Sequence, residues 1–317
     1  MSIQMKMYIN HFCSISPAGM LVPGVPVATL QQPGPGKAAC AEPDYKELIP
    51  PMQLRRMTKP VRTGIAAAKH CLGTEIPGSI HVGTTYGMLQ DSEQFLQKMI
   101  DQEEQMLNPT AFIQSTHNTV SGQIALSLAC TGHNMTYVHK AHSFESAMMD
   151  AAMMLAAQPG EMVLAGAVDE CTDTSYTILE RFGKYKTGDI AGEGAAFFTL
   201  SAHAGADSSA WLRAFDMFVA DDDAAVAAQL ARFQEQHQLA INHNDILLIN
   251  APGLKNAPDI CSGIETIDYR RYCGAYPTAS SFGLALATAL LNEKRTGRCW
   301  ILSGWGDHYS IFCLDSL

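Results

Sequence analysis

Charge is what this sequence has least of. Asp, Glu, Lys and Arg make up 16% of its 317 residues, against 47% hydrophobic residues. A chain so poor in charge must bury much of itself, and its length allows one large domain or two smaller ones with real cores. It also predicts unusual apolar area on a lone monomer, which a large subunit interface would cover. Basic residues are scarcer than acidic ones. The 21 Lys and Arg against 31 Asp and Glu give a net charge of −10, which argues against a nucleic-acid partner. The local cluster Arg55, Arg56, Lys59 and Arg62 reads as a solvated helix face. No stretch reaches the roughly 18 apolar residues of a membrane span. The N-terminus, Met-Ser-Ile-Gln-Met-Lys-Met-Tyr, lacks a signal peptide's apolar core and cleavage site. Nine cysteines stand singly with no Cys-x-x-Cys pair, which predicts reduced, mostly core thiols in a cytoplasmic protein.

What is present is an alternation of strands and helices. Met7 to Ser14 reads as a strand, and Val22 to Pro50, with Pro23, Pro26, Pro33, Pro35 and Pro43, as an irregular excursion. Arg55 to Leu72 reads as a helix with Met57, Val61, Ile65, Ala68 and Cys71 at helical spacing. Ile80 to Gly83 is a strand. Met88 to Met106 is an amphipathic helix with Phe95, Met99 and Ile100 inward, and Asn108 caps the next segment. Met135 to Val138 is a strand, His139 to His142 a sharp turn, and Ser143 to Ala157 a helix with Phe144, Ala147, Met148, Ala151, Met154 and Leu155 on one stripe. Pro159-Gly160 stops it before the apolar strand Glu161 to Ala165. The second series runs through strands from Trp211, Asp245, Cys299 and Tyr309 and helices Ala224 to Gln238 and Ala279 to Glu293. Between them lie the turn Ala251-Pro252-Gly253, the polar stretch Leu254 to Arg271 and a Gly304-Trp305-Gly306 turn. The pattern predicts an α/β layered fold with helices covering a mostly parallel sheet.

A strand-to-helix elbow is a common seat for a nucleophile, because the turn lifts the side chain out of the sheet and the helix N-terminus favours negative charge. Here the elbow tip carries Lys140, Ala141, His142 and Ser143, and no cysteine.

An ordered set of motifs carries a family resemblance. It comprises Arg55-Arg56-Met57 with Ala66-Ala67-Ala68, Val82-Gly83-Thr84 with Gly87, the elbow with Leu164-Ala165-Gly166, Gly192-Glu193-Gly194-Ala195 and Asn250-Ala251-Pro252-Gly253. Gly274 with Thr278-Ala279-Ser280 and the terminal Ser303-Gly304-Trp305-Gly306 complete it. Over nearly its whole length the chain resembles the β-ketoacyl synthases of fatty acid and polyketide biosynthesis. The resemblance implies a thiolase-like layered α-β-α-β-α fold of two similar halves, 1–205 and 206–317, in one compact unit. Active members use an elbow cysteine to take the acyl chain from acyl carrier protein, and two histidines to promote decarboxylation of the malonyl extender and stabilise the oxyanion. Carried over position by position, the cysteine falls on Ala141 and the histidines on Pro252 and Ala275. None of these side chains can attack a thioester or move a proton. The family's terminal Gly-Phe-Gly-Gly loop is also altered, to Gly304-Trp305-Gly306-Asp307-His308.

The resemblance therefore implies a chain-length factor, a non-catalytic subunit that pairs with an active ketosynthase and works with acyl carrier protein, with no cofactor and no metal. Ser115-Thr116-His117-Asn118-Thr119 and Thr136-Tyr137-Val138-His139 resemble the subgroup of aryl polyene, flexirubin and dialkylresorcinol clusters. Phe112, Ile113, His142, Ser143 and Phe144 are candidates for the acyl tunnel or the subunit interface. Two other readings stay open: an independent thioester hydrolase or transferase using His142 and Ser143, and a homodimeric scaffold for acyl carrier protein. Against the first, Ser143 stands where a helix N-cap belongs, and Cys130 reads as a core thiol. His117, His139 and His308 can converge near the elbow, but no ligand spacing supports a metal there. Met148, Met149, Met153 and Met154 read mainly as core packing, and Gly192-Glu193-Gly194 as a structural turn.

Overall fold

Strand pairing repeats itself in this chain, and the repeat defines the architecture. The computed structural model describes residues 7–252, 254 and 263–317. The first series is β1 (Met7–Ser16), β2 (Gly19–Leu21), β3 (Gly36–Lys37), α1 (Pro51–Leu54), α2 (Lys59–Leu72), β4 (Ser79–Gly83), α3 (Leu89–Asp101), α4 (Pro109–Gln114), α5 (Thr119–Leu128), β5 (His133–Tyr137), α6 (Ser143–Ala157), β6 (Val163–Asp169), α7 (Asp173–Arg181), β7 (Ile190–Ala191) and β8 (Gly194–Ser201). The second is β9 (Ala210–Val219), α8 (Asp223–His237), β10 (Ile246–Asn250), β11 (Glu265–Asp268), α9 (Arg270–Cys273), α10 (Ser280–Asn292), β12 (Arg298–Trp305) and β13 (His308–Asp315). Among the described residues an 11-stranded sheet runs β11-β10-β12-β13-β9-β1-β8-β6-β4-β5, with β2 beside β1. Outward from the centre, β1-β8-β6-β4-β5 and β9-β13-β12-β10-β11 each make two antiparallel junctions and then two parallel ones. The two units join where β1 meets β9, Tyr8 opposite Trp211.

Side chains alternate across a strand, so each half of the sheet, folded over the other as a layer of its own, presents two apolar faces. On one face Ile80, Val82, Leu164 and Phe197 pack under α2 and α5. On the far side Leu247, Ile249, Trp300 and Leu302 pack under Val226, Leu230 and Phe233 of α8. The inner faces, with Phe12, Phe198, Leu248, Ile301 and Phe312, close on Phe144, Met148 and Leu155 of α6 and on Phe282, Leu286 and Leu290 of α10. Five layers result: helix, sheet, the α6/α10 pair, sheet, helix. Helix α10 is buried from Ser280 through Leu291, as a central-layer helix must be.

Several expectations need correction. The sheet is mixed rather than mostly parallel. The β12–β13 connection turns at Gly306 (φ 67°) and Asp307, and so short a loop can join only antiparallel strands. The helix expected from Arg55 begins at Lys59, because Pro60 fits only the first turn. Ile100, expected inward, is exposed on α3. Gly304 and Trp305, expected in a turn, belong to β12. The polar stretch from Leu254 contains β11, while Gly253 and residues 255–262 of that region lie outside the described residues.

Candidate functional site

The elbow is a tight, internally bonded turn. Lys140 sits at φ 50°, in the left-handed region. The His142 and Ser143 amides donate to the carbonyls of His139 (3.0 Å) and Lys140 (3.2 Å). Ser143 is fully buried, and its hydroxyl donates to the Lys140 carbonyl (2.6 Å) and accepts from the His139 amide (2.9 Å). It therefore ties the turn to itself. It is the first residue of α6 and not the expected N-cap, and the flanking His142 makes no capping bond. Gly83 lets the end of β4 touch this helix start, since a Cβ there would meet the Ser143 carbonyl oxygen at 2.5 Å and the Phe144 nitrogen at 2.6 Å.

Ala141 and Ala275 meet in one small apolar cluster with Cys171, Tyr185, Ala191 and Trp305. Tyr185 lies 5.6 Å from Trp305 and 5.8 Å from Tyr176, ring to ring, and its hydroxyl donates to the Ala275 carbonyl (3.2 Å). Pro252 and Ala275 together line a cavity of about 190 Å³ whose wall also carries Lys184, Asp268, Arg270 and Arg271. All three positions carried over from the family motifs thus come to one region. The group nearest the elbow is aromatic and aliphatic apart from Cys171, whose thiol burial pushes up to about 11, away from the reactive thiolate.

His142 is bonded beyond the elbow. The Nε2–H of His142 donates to the Tyr309 carbonyl (3.0 Å) in a buried setting. Its ring lies 4.8 Å from that of His308 and 5.8 Å from that of His139. Burial holds its pKa below the usual histidine value, the Tyr309 carbonyl opposing and the neighbouring imidazoles adding. His139 and His308 therefore do gather at the elbow. His117 does not join their ring contacts; it packs beside Gly87.

Of the tunnel or interface candidates, Phe112 and Ile113 are 56% and 65% exposed on α4. Ile113 lines a surface cavity of about 440 Å³ with Met57, Val61, Thr119 and Leu126. Phe144 is buried between Phe198 (5.9 Å) and Phe312 (6.1 Å). Met148 is core and Met149 and Met154 pack against it, whereas Met153 is exposed.

Sequence reasoning missed two buried carboxylate hubs. Asp169 accepts from the Thr84 hydroxyl (3.0 Å), the Thr85 amide (2.8 Å) and, across the two units, the Thr278 hydroxyl (2.8 Å). Burial raises its pKa against these donors. Glu193 accepts from the Cys40 amide (2.7 Å), the Lys59 ammonium (2.7 Å) and the Cys171 amide (3.0 Å). Gly192-Glu193-Gly194 is thus a structural turn, and Lys59 is a buried carboxylate's partner rather than part of a solvated face.

Glu145 is the odd carboxylate. It is fully buried in the first turn of α6, facing Ser280 and Ser310, and neither oxygen makes a well-formed hydrogen bond. Burial pushes its pKa from 4.5 to about 6, the two serines opposing. The folded protein therefore holds this proton more tightly than the unfolded chain, and stability falls as pH rises from 4.5 through about 6. A shift of that size corresponds to about 2 kcal/mol. Glu145→Gln is expected to flatten this limb of the stability–pH curve, as read by urea unfolding at a series of pH values.

The comparisons agree with the fold. AntDE:AntF, a type II PKS acyl-carrier protein in complex with its ketosynthase bound to the hexaketide, matches with a TM-score of 0.81 at 18% identity, covering 99% of this chain and 100% of that one. The ishigamide ketosynthase/chain length factor matches with a TM-score of 0.81 at 16% identity, covering 98% and 99%. The ketosynthase ApeO in complex with its chain length factor ApeC from Xenorhabdus doucetiae gives 0.75 at 12%, covering 99% and 98%. At such identities these likenesses carry the thiolase-like fold. No curated protein sequence matches the chain. The sequence profile described as β-ketoacyl synthase, N-terminal domain, matches residues 30–246, more than half of the chain. With the repeated sheet and the elbow in place beneath that match, the chain belongs to the β-ketoacyl synthase family.

Proposed function

We propose that this chain is a chain-length factor: a subunit without condensation chemistry that pairs with a catalytic ketosynthase extending an acyl chain on acyl carrier protein. The observation that carries the reading is Ala141, at the family's nucleophile position, packed with Ala275 under Tyr185 and Trp305. Pro252 at the first histidine position adds to it. Ser143 and His142, the residues a rebuilt site would use, are committed to the Lys140 and Tyr309 carbonyls. A surface for the partner is available. Strand β5 ends the sheet with one neighbour. Phe112, Ile113, Leu126, Met135, Val138 and Met153 are exposed on α4, α5, β5, α6 and the elbow approach. Among the described residues no helix is long and apolar enough to cross a membrane. We place the pair in the cytoplasm, with residues 1–205 and 206–317 as the two halves of one compact unit, no nucleic-acid partner, and an aryl polyene or related chain as product. The motifs 115–119 and 136–139 support that last choice.

Co-expression with a catalytic ketosynthase tests the reading. A one-to-one complex by size-exclusion with mass analysis is expected, with malonyl-dependent elongation on acyl carrier protein only when both chains are present. Elongation or thioester hydrolysis by this chain alone, abolished by Ser143→Ala or His142→Ala, would overturn it. A stable homodimer that ignores the ketosynthase would favour a scaffold instead.

A further inference from the structure

Away from the elbow, two histidines converge on one carboxylate oxygen. The Nδ1 of His81, on β4, lies 2.7 Å from Asp150 Oδ2, and the Nε2 of His133, on β5, lies 3.1 Å from the same oxygen. All three ligand atoms fall within 4.8 Å of one another. The backbone explains the meeting. Strands β4 and β5 pair in parallel with Ser79 opposite His133 and His81 opposite Met135, so Ser79, His81, His133 and Tyr137 share a face of the sheet. Helix α6 lays Asp150 over that face.

We propose that His81, His133 and Asp150 form a binding site for a divalent transition-metal cation of the Zn²⁺ class, beside the outer strand of the sheet. Two neutral imidazoles and a carboxylate suit a borderline cation; Ca²⁺ and Mg²⁺ take oxygen ligands instead. The supporting groups are those a metal-bound histidine needs. Ser79 Oγ lies 2.9 Å from His81 Nε2 and can accept a hydrogen bond from its N–H, the tautomer that leaves the Nδ1 lone pair toward Asp150. The Tyr137 hydroxyl also faces Asp150. Both rings need only exchange tautomers to present lone pairs. Ligands about 2.0–2.1 Å from a tetrahedral cation stand roughly 3.3 Å apart, so the rings draw back by about half an ångström. His81 is fully buried while the His133 side chain is 40% exposed, so the fourth position opens toward solvent and takes water. A bound cation would pin β5 to β4 and α6.

The test uses the whole chain, freed of metal with a chelator and titrated with Zn²⁺ and then Co²⁺ near neutral pH. One equivalent of Zn²⁺ with a raised Tm is expected. The Co²⁺ form is expected to show the visible bands of a four-coordinate nitrogen/oxygen site without thiolate charge transfer. His133→Ala, a change at a partly exposed side chain that should leave the fold intact, is expected to weaken binding by more than about 100-fold, beyond the roughly 10- to 100-fold of a lost supporting hydrogen bond. Ser79→Ala should fall in that smaller range. Failure of the wild type to bind one equivalent, thiolate bands, or a His133→Ala variant that binds like wild type would overturn the proposal.

Discussion

Gly192→Ala is expected to destabilise the protein by about 4 kcal/mol or more, enough to prevent accumulation of the folded chain. A Cβ at this position overlaps the Cys273 carbonyl oxygen and stands 2.8 Å from its carbon and 2.9 Å from the Gly274 Cα. The obstacle is backbone, which no rotamer change can clear. The two turns are also bonded together, with the Gly192 amide donating to the Ala275 carbonyl (3.2 Å) and the Ala275 amide to the Ile190 carbonyl (2.8 Å). Gly274 (φ 74°) is equally constrained, since its own Cβ would meet the Gly192 nitrogen at 2.6 Å. Neither turn can retreat, because Glu193 is fixed by Cys40, Lys59 and Cys171. Gly160→Ala is the control, for nothing lies within 4 Å of an added Cβ there. Soluble yield and urea unfolding separate the two. A Gly192→Ala protein within about 1 kcal/mol of wild type would mean that the turns do not cross as described.

Phe144→Ala is expected to cost about 3–5 kcal/mol, the range for removing a buried aromatic ring. The ring has no exposed surface, and it bridges Phe198 of β8 and Phe312 of β13. It therefore lies on the seam between the two units, where neither sheet can collapse into the vacated space alone. Phe144→Leu keeps most of the volume and is expected to lose about half as much. Equilibrium urea unfolding gives the values, with an unchanged m-value showing that the denatured state is not the cause. A loss below about 1 kcal/mol would contradict the central packing.

How much was legible in the sequence depended on whether the signal was local. Helix α6 was read with the observed bounds, Ser143–Ala157, because a broad apolar stripe ends at Pro159-Gly160. Strand β11 was missed because Glu265-Thr266-Ile267-Asp268 at the sheet edge buries one residue fully, so no apolar run marks it. Strand direction was misjudged because element order alone does not reveal which strands return as hairpins. At the elbow, spacing from Gly132 and Gly166 points to Ala141 as the vacated position, but nothing in the pattern announces Tyr185 and Trp305 packed near it. The hubs at Asp169 and Glu193 and the histidine pair on Asp150 are tertiary meetings. His81 and His133 lie 69 and 17 positions from Asp150, with no motif between them.

As a chain-length factor, this chain would accept no acyl group. The direct measurement is intact mass of both subunits after the reconstituted pair is incubated with acyl-loaded carrier protein. The account predicts an acyl adduct on the catalytic partner alone, and none on the chain carrying Ala141, with or without its partner. A stoichiometric adduct on this chain, mapped to Ser143 or to any other residue of the elbow, would contradict it.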